Sequence, residues 1–127
     1  MDYLLDTHVL LWSIYENDKL TKTAHAILMD GNCGKFVSIT SLWEIAIKNR
    51  IGKLPLPGGL SEVFSEIETL GYGLVGIDQQ HLEVYAKLPL LHRDPFDGLI
   101  IATALIENMT IITTDENIHK YDVSWVW

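Results

Sequence analysis

Residues 93–115 read RDPFDGLIIATALIENMTIITTD, and this stretch decides the class of fold. Asp94 and Pro95 are typical of a helix start, with the aspartate as N-cap and the proline at the first helical position. The residues that follow are apolar on nearly every side of a helix, which predicts a buried helix over residues 95–108. A short apolar run at residues 110–113 then predicts a strand, so the stretch reads as one helix–strand unit of an α/β fold.

The same alternation of strands and helices extends over the whole chain. Strands are predicted at residues 3–5, 36–39, 74–77, 110–113 and 123–125, and helices at residues 7–15, 20–29, 40–51, 60–70, 79–88 and 95–108. Strands that alternate with helices favour a mostly parallel sheet. We therefore expect an α/β layer fold, formed by a single domain over residues 1–127.

The composition is that of an ordinary globular chain, with 48% hydrophobic and 20% charged residues. Cys33 is the only cysteine, so no internal disulfide is possible and nothing indicates an oxidising compartment. The first six residues carry acids where a signal peptide needs positive charge, and the longest strongly apolar run, residues 99–106, is too short to cross a bilayer. We expect a cytoplasmic protein that does not associate with a membrane.

The formal net charge of −8 is unusual for a protein that binds nucleic acid, because phosphate binding normally requires a basic surface. Two interpretations stay open. Either the substrate is not a nucleic acid, or clustered acids account for part of the excess and a divalent cation offsets them.

Four acids fall at junctions between predicted elements. Asp6 ends the first strand, and Asp115 follows the strand at residues 110–113. Glu44 lies in the first turn of the helix predicted at residues 40–51, and Asp97 in the first turn of the buried helix. Ligands of open parallel sheets bind at the carboxyl ends of the strands, so these are positions where such a fold places its chemistry.

Helix capping is an alternative explanation for several of these acids. Glu44 completes a capping-box pattern, SLWE at residues 41–44, and lies one helical turn before Lys48, with which it can pair. Asp97 suits the positive end of its helix, and Asp115 can cap the short segment at residues 116–120.

Asp94 and Asp6 differ from these three acids. For Asp94 the capping role is preferred over a role in the site. Asp6 alone has no capping explanation, because it ends an apolar strand, where a carboxylate without a partner is costly.

A divalent cation would explain acids in segments that are expected to be buried. Asp6 and Asp97 belong to such segments, and carboxylates forced together in a poorly solvated site repel each other unless a positive charge intervenes. Mg²⁺ or Mn²⁺ suits oxygen ligands. The five histidines lack the usual spacing of zinc ligands, although His8 and His92 lie beside the acid-bearing segments.

Four segments of the chain resemble the PIN-domain nucleases, and within them the VapC-type toxins of toxin–antitoxin pairs. They are LLDTH at residues 4–8, SLWEI at residues 41–45, HRDPFD at residues 92–97 and TTD at residues 113–115. The resemblance covers essentially the whole chain, in order and at similar spacing.

The resemblance implies a three-layer α/β/α sandwich with a parallel sheet of about five strands, and Mg²⁺- or Mn²⁺-dependent cleavage of RNA. The four acids that line the pocket in this family carry over as Asp6, Glu44, Asp97 and Asp115. The resemblance also implies inhibition by a cognate antitoxin protein and, commonly, a homodimer. One position departs from the pattern, since similar proteins often have arginine where this chain has Gly98.

The resulting hypothesis is a metal-dependent endoribonuclease that hydrolyses phosphodiester bonds. Asp6 and Asp97 are predicted to contact the metal most directly, and Glu44 and Asp115 to complete its shell. Thr7 and Thr114 are candidate hydrogen-bond partners for the carboxylates or for water, with β-compatible or capping roles as the alternative.

Basic residues near the predicted site form a further candidate set. Those that could contact the RNA backbone are Lys48, Arg50, Lys53 and Arg93. Ordinary surface charge is an equally good explanation for them.

Three other functions are alternatives to the nuclease. A small Mg²⁺-dependent phosphatase suits the acidity, but many phosphatases have a second aspartate two residues after the first, where this chain has His8. A nuclease-like binding module with lost activity is suggested by Gly98. The segment GYGLVG at residues 71–76 matches a dinucleotide-binding pattern, but a predicted helix precedes it and a strand runs through it, so this function is disfavoured.

Overall fold

The computed structural model describes all 127 residues, and a five-stranded sheet lies at its centre. The strands are β1 (Asp2–Leu5), β2 (Gly34–Ser38), β3 (Gly73–Val75), β4 (Thr110–Ile112) and β5 (Trp125–Val126). All neighbouring strands run parallel, in the spatial order β3-β2-β1-β4-β5. The predicted parallel sheet of about five strands is confirmed.

Seven helices and one short 3₁₀ helix connect the strands. The helices are α1 (Thr7–Tyr15), α2 (Lys22–Met29), α3 (Ile39–Arg50), α4 (Gly59–Thr69), α5 (Gln79–Lys87), α6 (Pro95–Glu107) and α7 (Glu116–His119), and the 3₁₀ helix covers Asn17–Lys19. None of the helices is both long enough and apolar enough to cross a membrane.

The predicted elements are all present, and they differ from the observed ones mainly at their ends. The helix predicted from residue 20 begins at Lys22, because the Thr21 side chain accepts a hydrogen bond from the Ala24 N–H and so caps it. The helix predicted from residue 40 begins one residue earlier, because Ser38 caps it. Hydrogen bonding by side chains at the junctions therefore sets these boundaries.

The two faces of the sheet support separate hydrophobic clusters. Leu5 and Ile112 pack with side chains of α1, α2, α3 and α4 on one face. Their neighbours Leu4 and Ile111 pack with α6 and α7 on the other face. Because successive residues of a strand point to opposite faces, apolar pairs are what a sheet covered on both sides requires. This confirms the three-layer α/β/α sandwich.

The strand order reverses at the centre of the sheet. From β1 the chain proceeds outward through β2 to β3, and it then returns to place β4 and β5 on the other side of β1. Connections that diverge at such a switch point leave a crevice at the carboxyl ends of the two central strands. The residues that follow β1 and β4, Asp6 and Thr113, therefore lie at this crevice.

The buried helix α6 packs closely against α5 near its first turn. Gly98 is buried there, and a Cβ atom at this position would lie 2.5 Å from Cε1 of the Tyr85 ring. The glycine thus leaves room for Tyr85 in a helix–helix contact. The packing of Tyr85 therefore explains why position 98 carries no side chain.

We predict that replacing Gly98 changes stability with a sign that depends on Tyr85. Gly98→Ala should destabilise the protein by about 1 kcal/mol, because the new Cβ displaces the Tyr85 ring. In a Tyr85→Ala background the same change should stabilise by roughly 0.5–1 kcal/mol, since alanine is the better helix former and the clash is gone. Urea unfolding of the four proteins measures both effects. Equal effects in both backgrounds would show that Tyr85 does not set the cost.

Candidate active site

Asp6 joins the two central strands at the crevice. It is only 4% exposed and is the N-cap of α1. Its Oδ1 atom accepts the His8 N–H at 2.7 Å, and its Oδ2 atom accepts the Thr113 hydroxyl at 2.5 Å. The prediction that Asp6 has no capping role was wrong, because the chain turns from strand into helix at this very residue. The same carboxylate both caps a helix and faces the crevice.

Thr113, and not the predicted Thr114, donates its hydroxyl to a site carboxylate, that of Asp6. The Thr113 side chain is buried and also accepts the Asp115 N–H at 3.0 Å, whereas Thr114 is exposed. Side chains alternate along an extended segment, so two adjacent threonines cannot both face the crevice. The assignment to Thr114 is corrected to Thr113.

Glu44 lies on α3, 4% exposed, with a partner on each carboxylate oxygen. Thr7 donates its hydroxyl to Oε1 at 2.8 Å, and Lys48 donates to Oε2 at 2.7 Å. The hydroxyls of Thr7 and Ser41 are 2.9 Å apart, so Ser41 belongs to the same buried polar group. The expected Glu44–Lys48 pair and the carboxylate contact of Thr7 are both present.

The capping explanation for Glu44 was wrong. Helix α3 begins at Ile39, and its N-cap is Ser38, whose hydroxyl accepts the Thr40 N–H at 3.0 Å. Glu44 therefore lies in the second turn of the helix, too far along to bond a free N–H of the first turn. Its burial serves the contacts with Thr7 and Lys48 instead.

Asp97 lies beside His92 in a poorly solvated part of the site. Its side chain is 15% exposed, and its Oδ2 atom lies 3.2 Å from Nε2 of His92. Burial, followed by the negative charges of Asp94, Asp115, Asp6 and Glu44 in that order, raises the pKa of Asp97 to about 8. Acids from four separate parts of the chain therefore act on one buried carboxyl group.

Burial also raises the pKa of Asp6. The hydrogen bonds from Thr113 and the His8 N–H oppose that rise, and the charge of Asp115 adds to it. Both acids that the sequence ranked first are thus disfavoured in their charged forms by their surroundings.

Asp94 and Asp115 each cap a helix, as their positions in the sequence indicated. Asp94 accepts the N–H groups of Phe96 and Asp97 through Oδ1, at 2.9 and 3.3 Å. Asp115 accepts the Asn117 N–H through Oδ1 at 2.8 Å. These caps use one oxygen of each carboxylate, so capping does not prevent the other oxygen from binding a ligand.

The structure also brings together three possible metal ligands that the sequence had not indicated as one group. His92, Asp94 and Asp97 each offer a ligand atom, and these atoms lie within 4.8 Å of one another. The other three predicted acids are outside this group. Its signal in the sequence is the segment HRDPFD, in which the N-cap aspartate was assigned only to the helix.

The four candidate RNA-contacting residues lie at different distances from these acids. Lys48 is bonded to Glu44, and the negative charges of Asp94 and Asp97 also act on it. Arg93 is exposed between His92 and Asp94 in sequence. Arg50 is exposed at the end of α3, about 9 Å further along the helix axis than Glu44, and Lys53 is exposed in the following loop. Of these four residues, Lys48 alone contacts a site acid.

The donor set fits a hard divalent cation. Most of its donors are carboxylate oxygens, and burial and the neighbouring negative charges raise the pKa of Asp97 among them. Lys48 and His92 are the only basic side chains bonded to these acids at distances below 3.5 Å. Mg²⁺ or Mn²⁺ has the charge and the ligand preference that this arrangement calls for.

Comparisons with known proteins agree with this geometry. A sequence-family model described as PIN domain matches residues 3–124. No curated protein is matched by the sequence. The family match spans nearly the whole chain and includes all four acids predicted from the sequence.

Solved structures of similar fold cover almost the full chain. VapBC2 from Rickettsia felis, solved with a fragment of promoter DNA, has a TM-score of 0.77 at 16% identity, over 100% of this chain and 99% of that one. VapBC-1 from nontypeable Haemophilus influenzae has a TM-score of 0.67 at 20% identity, over 99% and 97%. FitAcB from Neisseria gonorrhoeae has a TM-score of 0.65 at 21% identity, over 98% and 96%. At such identities the likeness shows the fold.

We predict that, in metal-free protein, the contribution of Asp97 to the free energy of unfolding decreases as pH rises. Its folded pKa of about 8 exceeds the ordinary value of 3.8, so the native state holds the proton more tightly than the unfolded state. The stability it contributes is complete below about pH 4 and is lost as pH rises to about 8. Asp97→Asn should therefore stabilise the protein at pH 8.5 by about 1–2 kcal/mol, or roughly 3–8 °C in Tm, and have little effect at pH 4.

Thermal unfolding with a chelator present, at both pH values, measures this difference. The matched control is Asp18→Asn, at an exposed position of the 3₁₀ helix. An Asp97→Asn variant that is no more stable than the wild type at pH 8.5 would contradict the assignment.

The roles of the adjacent threonines give a second prediction. Thr113→Val should cost about 1–3 kcal/mol, because it leaves the buried Oδ2 of Asp6 and the Asp115 N–H without their partner. Thr114→Val should change stability by less than about 0.5 kcal/mol, since its side chain is exposed. Chemical denaturation of the two variants compares them directly, and equal losses would refute the corrected assignment.

Proposed function

Because the chain belongs to the PIN-domain family, we propose that it is a metal-dependent endoribonuclease and the toxin of a toxin–antitoxin pair. The observation that carries this proposal is the environment of Asp97. A buried carboxyl group with a pKa of about 8 lies among acids from several elements, at the carboxyl ends of the central strands. Such an arrangement costs stability and is typical of a functional site.

Four acids would hold the cation. Asp6 and Asp97 are proposed to contact it most directly, and Glu44 and Asp115 to complete the shell. When bound, the cation would supply positive charge for the phosphate and lower the pKa of the attacking water.

The chain's own residues fix these acids in place. Thr113 and the His8 N–H hold the two oxygens of Asp6, and Thr7 and Lys48 hold those of Glu44. Carboxylates that cannot rotate keep their oxygens in one orientation, so little reorganisation is needed when a ligand binds. Thr7 and Thr113 are thus proposed as positioning residues.

Lys48 is the best supported of the proposed RNA contacts. It pairs with Glu44, and its side chain remains 41% exposed. A lysine at this place can also contact a phosphate, as a point charge, when RNA binds at the acids. Arg93 is exposed in the loop before α6, Arg50 is exposed at the end of α3, and Lys53 is exposed in the loop that follows.

The structures that this chain resembles support a proposal about its partners. Structures of similar fold include a toxin–antitoxin complex from Klebsiella pneumoniae and VapBC-5 from Mycobacterium tuberculosis, described as a member of the VapBC family of toxin–antitoxin systems. These likenesses support the proposal that this chain is held inactive by a cognate antitoxin. A homodimer, implied by the resemblance in sequence, is part of the same proposal.

The proposal predicts that Asp6→Asn abolishes cleavage without unfolding the protein. Asparagine has the same shape and also caps helices, so the fold should persist. Loss of the charge should lower the rate of Mg²⁺- or Mn²⁺-dependent cleavage of a labelled RNA by at least about 100-fold. Asp18→Asn serves as the control with an equal change of charge.

A generic phosphate monoester, assayed in parallel, tests the phosphatase alternative. Cleavage of the RNA but not of the monoester by the wild type would support the proposed activity. An Asp6→Asn variant that cuts RNA at the wild-type rate would refute the role of Asp6, and hydrolysis of the monoester alone would refute the nuclease.

A further inference from the structure

His92 lies where an additional ligand to the proposed cation would lie. Its Nε2 atom is 3.2 Å from Oδ2 of Asp97, and its side chain is partly exposed. The backbone N–H of His92 donates to the hydroxyl of the buried Tyr121 at 3.1 Å, which anchors the loop before α6. The imidazole is therefore held beside Asp97 by the fold.

The spacing of the donor atoms suits a shared ion. Two ligand atoms that lie about 2.1 Å from a cation at right angles are about 3 Å apart. The separation between His92 Nε2 and Asp97 Oδ2 is close to that value, and Asp94 offers a third ligand atom within 4.8 Å of both. The cap that Asp94 makes with Oδ1 fixes its carboxylate and leaves Oδ2 for a ligand.

The other acids differ from this group in their hydrogen bonding. Both oxygens of Asp6 and both oxygens of Glu44 already accept hydrogen bonds from the protein. Only the His92 side chain pairs with the Asp97 carboxylate. A cation bound to Asp97 would therefore have His92 and Asp94 as nearby donors.

We propose that His92 and Asp94 join Asp97 as ligands of the divalent cation, and that the imidazole nitrogen makes the site select Mn²⁺ over Mg²⁺. Mg²⁺ is a hard ion that binds oxygen ligands and retains its water. Mn²⁺ is a first-row transition ion and accepts an imidazole ligand more readily. This inference rests on the proposed metal-dependent function and adds two ligands and a preference among ions.

The test compares binding of Mn²⁺ and Mg²⁺ by the wild type, His92→Gln and His25→Gln. Glutamine removes the imidazole but stays polar, and His25 is an exposed residue of α2 that serves as the matched control. Calorimetry or the rise in Tm measures each affinity. The wild type and His25→Gln should prefer Mn²⁺, and His92→Gln should bind Mn²⁺ about 10–100-fold more weakly while its affinity for Mg²⁺ changes far less.

Pulsed EPR of bound Mn²⁺ gives a readout that does not depend on affinity. A nitrogen coupling from a directly bound imidazole should be present in the wild type and in His25→Gln, and absent in His92→Gln. If His92 only hydrogen-bonds Asp97, no coupling will be found and the preference will survive the substitution, which would overturn the proposal.

The outcomes also separate this inference from the proposed function. Wild-type protein that binds Mn²⁺ and cuts RNA, with a preference unchanged in His92→Gln, would refute the ligand role and leave the nuclease intact. Wild-type protein with no rise in Tm at millimolar Mn²⁺ would refute both and favour the binding module.

Discussion

The hydrogen bond from Thr113 to Asp6 is the contact on which the site depends. It joins the ends of β1 and β4, the two neighbouring parallel strands between which the strand order reverses. Asp6 also begins α1, so one carboxylate fixes the end of a strand, the start of a helix and the edge of the crevice. The remaining acids are placed relative to that junction by elements that pack on the two faces of the sheet.

Burial of these acids opposes the stability that the hydrophobic layers provide. The two clusters on the faces of the sheet consist of apolar side chains, whereas the crevice between them holds carboxyl groups whose charged forms are disfavoured. A fold of this size has only a small margin of stability. The arrangement is understandable if a positive ligand compensates the acids when the protein functions.

Much of the fold could be predicted from the sequence because its signals are local. Alternating apolar runs and helix starts such as Asp94–Pro95 identified the five strands and the six longer helices, but not the 3₁₀ helix at Asn17–Lys19. The carboxyl ends of strands indicated where the acids would lie. The choice between Thr113 and Thr114 depends on which face the last strand residue presents. That requires the register of the sheet, which a single sequence does not contain.

The packing of α5 on α6 lies beyond local signals in the same way. Tyr85 and Gly98 are distant in sequence, and only the tertiary structure shows that they share one space. The grouping of His92 with Asp97 likewise depends on how the loop before α6 is anchored on Tyr121. A long side chain at position 98 would therefore demand a small or displaced residue at position 85. Helix packing thus accounts for the glycine at position 98 without any reference to activity.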